Sequence, residues 1–68
     1  MVLTATDIGL LKELWAAGAS GRTIRTFKTR LVLDRLATDG YVVARSTGLE
    51  LVQYRITRRG QDAIRDHT

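Results

Sequence analysis

Cysteine and proline are missing from these 68 residues, and aromatic side chains are few: one Trp, one Phe and two Tyr. Each absence excludes something. Without cysteine there is no disulfide scaffold, no zinc–thiolate site and no cysteine nucleophile. The only histidine, His67, stands next to the last residue, where chain ends fray, and no glycine-rich phosphate loop or metal-ligand spacing accompanies it. Enzymatic activity, a cofactor and a metal are therefore not expected. No apolar run approaches the roughly 20 residues of a membrane span. The start, "MVLTATD", lacks the basic and apolar segments of a signal peptide. The expectations are no membrane partner and a cytoplasmic location. With no row of exposed aromatics, single-stranded nucleic acid is a weak candidate ligand.

What the chain does have is positive charge. Lysine and arginine number 11 against 7 acids, for a net charge of +4, and nine of the eleven cations are arginine. Arginine suits planar, bidentate contact with phosphates and base edges. The chain reads as one small domain, residues 1–68, which buries only roughly 60% of its unfolded surface.

Glycines punctuate it. In "TATDIGLLKELWAAG", Ile8, Leu11, Leu14 and Trp15 recur at helical spacing. Thr4 or Thr6 caps the start, with Asp7 three after Thr4 as in a capping box, and Gly18 supplies the stop. A second helix ends at "LDRLATDG". Its wheel buries Thr29, Val32, Leu33, Leu36 and Ala37 and exposes Lys28, Leu31, Asp34, Arg35 and Thr38. Between the two, Ile24 and Phe27 are apolar anchors that suit a short helix or turn docked under the longer helix.

Then the period changes. "YVVARSTGLELVQYRI" is rich in β-branched and aromatic residues, with a turn signal at Thr47-Gly48. A turn there sets Arg45 opposite Glu50, Val43 opposite Val52 and Tyr41 opposite Tyr54, which are favourable cross-strand pairs. Thr57 caps a short closing helix in which Ala63 and Ile64 continue the apolar side begun by Ile56.

The stretches "LVLDRLATDGYVV" and "YRITRRGQDAI" resemble, respectively, the end of the recognition helix with the first wing strand, and the second wing strand with its following helix, in MarR-like and PadR-like winged helix-turn-helix regulators. Together they cover about half the chain. The resemblance implies an α+β fold: a three-helix core, a two-stranded β-hairpin wing (about 41–56) and a short C-terminal helix. The segment between Gly18 and the recognition helix (about 27–39) is shorter than in those regulators, so an abbreviated helix is expected before the turn.

The implied function is sequence-specific binding of double-stranded DNA by a small transcriptional regulator or repressor, with the recognition helix in the major groove and the wing on the backbone or minor groove. "RTIRTFKTR", residues 22–30, holds four cations and no acid beside that helix's start. By the resemblance, Lys28, Arg30 and Arg35 fall on recognition-helix positions, Arg22 and Arg25 before them, and Arg45, Ser46 and Thr47 at the wing tip. Thr26 caps the helix or meets a phosphate. The alternative is a winged-helix protein-interaction module, an accessory or inhibitory protein of the kind phages encode, for which Leu31, Leu49 and Leu51 are the exposed contacts. Pairing as a homodimer, through "MVL" or Leu31, and a protein partner both stay open at this stage.

Overall fold

Thr4 begins the first helix. Its backbone is extended (φ −85°, ψ 170°), its hydroxyl accepts from the Asp7 amide at 3.1 Å, and Asp7 Oδ2 accepts from the Thr4 amide at 2.9 Å. This reciprocal capping box starts α1 (Ala5–Ala17). Ile8, Leu11 and Leu14 face inward, and Gly18, at φ 72°, ends the helix. Trp15 does not join the core as the stripe suggests. It is 37% exposed at the rim, with the Arg65 guanidinium 5.8 Å from its ring centre. The computed structural model describes residues 2–48 and 51–67, apart from the side chains of Ala19 and Thr47.

The next segment departs from expectation. Gly18–Ser20 makes one 3-10 turn, and Arg22–Ile24 is then a strand, β1, rather than a docked helix. β-Branched Thr23 and Ile24 favour the extended chain, and a free strand edge is available to pair with them. Gln53 Nε2 donates to the Ser20 carbonyl and anchors the approach. Gly21, at φ 66°, lies so close to the Tyr54 carbonyl that a Cβ there would collide with it. Only Arg25 and Thr26 separate this strand from α2 (Phe27–Thr38).

Leu33 and Leu36 of α2 are buried, with Thr29, Val32 and Ala37 half-buried beside them, as the wheel requires. Phe27 is not an anchor: it is 68% exposed. The helix starts at Phe27 itself, so positions 27, 31 and 35 fall on one outward stripe.

Two further strands, β2 (Val42–Gly48) and β3 (Leu51–Ile56), complete an antiparallel sheet in the order β1-β3-β2. The sheet thus has three strands, not the two of a simple wing. Its register also corrects the expected one. Val42 pairs with Ile56, Ala44 with Tyr54, Arg45 with Gln53 and Ser46 with Val52, and an irregularity between Ser46 and Gly48 sets Gly48 against Leu51. Thr47 and Gly48 therefore belong to β2, while Leu49 and Glu50, the partner expected for Arg45, lie outside the described residues.

Partners across a ladder share a face, and this decides the matter. Pairing Tyr41 with Tyr54 would put Val43 and Arg45 on the face that carries Tyr54 into the core. The observed register instead turns Val42 (2% exposed) inward with Tyr54 (0%) and leaves Val43 and Arg45 outside. Tyr41 stands apart from Tyr54, under the Arg59 guanidinium at 4.9 Å.

Thr57 caps α3 (Arg58–Asp66) by accepting from the Gly60 amide at 3.2 Å, and its hydroxyl donates to the Gly40 carbonyl at 2.7 Å. One threonine so joins the end of α2 to the start of α3. Gly60 packs with no room for a side chain: a Cβ would strike the Tyr41 carbonyl and lie 2.7 Å from Ile56 Cγ1. Ala63 and Ile64 close the core with Ile8, Leu11, Leu14, Leu33, Leu36, Val42 and Tyr54. The result is an α+β fold of three helices and a three-stranded antiparallel sheet. None of its helices is long and apolar enough to cross a membrane.

Candidate nucleic-acid interface

The strand register determines where the basic stretch lies. β1 runs antiparallel to β3, with Arg22 opposite Tyr54 and Ile24 opposite Val52. It therefore travels toward the β2–β3 turn, and Arg25 and Thr26 follow at that end of the sheet. The first turn of α2 starts there too. Its last turn lies at the other end, where Gly40 receives the Thr57 hydroxyl. The start of α2 and the β2–β3 end of the sheet thus lie on the same side although some 20 residues of sequence separate them.

The eight expected contact residues do not stand alike. Arg25, Lys28 and Arg45 are exposed, and among the described residues none has an ion-pair partner. Thr26 occupies the N-cap of α2 in an extended conformation (φ −72°, ψ 121°), yet its hydroxyl makes no capping bond. Arg22 pairs with Glu13 of α1 at 3.5 Å across two half-exposed side chains, a contact worth little in water.

Arg35 is held more firmly. Its Nη2 lies 3.6 Å from Oδ1 of Asp7, a carboxylate only 1% exposed. That oxygen has no hydrogen-bond partner, because the capping box uses Oδ2. Arg35 is thus the counter-charge of a buried acid. Arg30 is half-buried, and its positive charge opposes the rise in the pKa of the Tyr54 hydroxyl. The same hydroxyl donates to Asp34 Oδ1 at 2.6 Å. Burial, then the bond to Asp34 and its charge, push the Tyr54 pKa up to about 12, against the opposing pull of Arg30. The side chain of Thr47 lies outside what the structure describes.

Arg25 and Lys28 thus come together at the start of α2, beside the outward stripe that holds Phe27 and Leu31, 68% and 54% exposed. Arg45 is not part of this group. It projects from the opposite face of the sheet, in one row with Gln53 and Thr23 and diagonal to Arg55. Sequence reasoning assigned Arg55 no role. Its signal was the alternation in "LVQYRI", which becomes legible once Tyr54 is known to point inward.

No family model, curated protein or solved structure matches this chain.

Proposed function

We propose that the protein binds double-stranded DNA with the start of α2, as a reduced winged helix in which a 3-10 turn and β1 replace the helix before the turn. One observation carries the reading. The register sets the first turn of α2 at the hairpin end of the sheet, where Arg25 and Lys28 are exposed with no acidic partner among the described residues and the exposed Thr26 makes no capping bond. Free amides and the dipole at a helix start favour phosphate, and flanking cations reinforce them. The helix then enters the major groove with Phe27, Lys28 and Leu31 leading, and Leu31 is suited to a thymine methyl. Arg30 and Arg35 support the surface from within, through Tyr54 and Asp7. Regulation of transcription, as by a small repressor, is the process such a reader serves.

The test is a map of amide shifts on adding a short duplex. Shifts concentrated at residues 25–31 support the reading. Shifts that leave this segment untouched refute it.

A second reading has its own observation. Phe27 and Leu31, one helical turn apart and both more than half exposed, are an apolar pair that a protein partner could cover. Under it, duplex DNA is bound only through general charge attraction, and replacing the two apolar residues leaves DNA affinity unchanged.

A further inference from the structure

Among the described residues, the outer face of the sheet is unpartnered and its charges are of one sign. No acid occurs in any of the three strands. On the side away from Tyr54 they present Thr23, Gln53 and Arg45 in one row and Val43 and Arg55 in the next. Arg45 and Arg55 are exposed, Val43 is 44% exposed, and neither arginine has an ion-pair partner among the described residues. Val43, Arg45, Gln53 and Arg55 line a small depression. As diagonal neighbours on an antiparallel ladder, the arginines start about 7–8 Å apart, close enough to meet separate phosphates of one backbone.

This face and the outward stripe of α2 look in opposite directions, because the body of α2 packs on the inner face of the sheet through Leu33 and Leu36. A helix is about 10–12 Å across. A straight duplex laid along the α2 stripe leaves the outer sheet face open to solvent.

We infer that the outer sheet face is a second binding surface for duplex phosphate backbone, centred on Arg45 and Arg55, so that one molecule joins two duplex segments. The inference rests on the duplex-binding reading for its choice of ligand, but uses different residues. Charge complementarity selects the ligand: two exposed guanidiniums without an ion-pair partner among the described residues, on strands that contain no acid, suit a polyanion. The contact is to the backbone and independent of sequence.

The experiment uses the labelled 68-residue chain and a duplex of about one helical turn, with the amides read in the wild type, R25A/K28A and R45A/R55A. All four substituted side chains are exposed, so both variants fold, and spectral dispersion checks this. In R25A/K28A, duplex still shifts Thr23, Val43, Arg45, Gln53 and Arg55, more strongly at low salt. In R45A/R55A these shifts vanish while those at 25–31 persist. On beads carrying one duplex, the wild type retains a second, fluorescent duplex, and R45A/R55A does not. Sheet amides that stay still in both the wild type and R25A/K28A overturn the inference, as does full retention of the second duplex by R45A/R55A. Shifts on the sheet alone, with residues 25–31 unmoved, leave the sheet face as a duplex-binding surface but remove both the reading of α2 and the joining of two duplexes.

Discussion

Replacing Arg35 with alanine should destabilise the fold by removing the counter-charge of Asp7. Asp7 is 1% exposed and one of its oxygens has no hydrogen bond, so its charge is compensated by the capping box on one side and by Arg35 at 3.6 Å on the other. At that distance an effective dielectric of about 20 corresponds to an attraction of about 4–5 kcal/mol. The Arg35 side chain is 60% exposed, so water screens much of this, and a loss of about 1–3 kcal/mol is expected. The whole domain is worth about 3–10 kcal/mol by the usual per-residue range. The melting temperature should therefore drop by roughly 5–20 °C, at about 4–8 °C per kcal/mol for a domain of this size. Urea titrations of the wild type, R35A, D7N and the double variant isolate the pair. On the D7N background, R35A should cost at most about 0.5 kcal/mol. A wild-type midpoint for R35A, or an equal cost on both backgrounds, refutes the argument.

Gly60→Ala forces a methyl group onto the Tyr41 carbonyl and Ile56. It should cost about 1–3 kcal/mol, the usual cost of overpacking, seen as a lower urea midpoint. Tyr54 sets a pH dependence. Its hydroxyl titrates near 12 when folded and near 10 when exposed, so the folded state holds the extra proton between those values. Stability is then intact below about pH 10 and falls by at most about 2–3 kcal/mol as pH rises toward 12. Urea midpoints across that range should show the fall in the wild type and lose it in Y54F. Phe27→Ser with Leu31→Ser changes exposed side chains and should leave the midpoint within about 0.5 kcal/mol. By the groove reading it weakens duplex binding, and unchanged affinity favours the protein-partner reading.

Local signals in the sequence translated well. The Thr4–Asp7 capping box, the Gly18 stop, the buried stripe of α2 and the Thr57 cap each depend on residues within four positions of one another, so their chemistry is complete in the string. What failed depends on long-range pairing. Residues 22–24 became a strand because β3 offers an edge, a fact found 30 residues away. The hairpin was misregistered because Thr47-Gly48 looks like a turn and the pairs it predicts look favourable. The inward demand of Tyr54, set by packing against α2 and by its bond to Asp34, overrode them. Phe27 was misjudged because its exposure follows from where α2 starts. For the candidate site, composition located the basic stretch. It could not say that Arg35 and Arg30 are engaged internally, nor that Arg45 lies on a different face from Lys28.

Arg25 and Lys28 are the proposed duplex contacts at the start of α2. The direct measurement is a fluorescence anisotropy titration of a short duplex with the wild type and R25A/K28A, across salt concentrations from about 50 to 200 mM. Each phosphate contact contributes about 0.9 to the log–log salt slope, so the variant should bind more weakly with a slope smaller by about 2. Equal affinities and equal slopes for the two proteins would show that Arg25 and Lys28 do not meet the duplex.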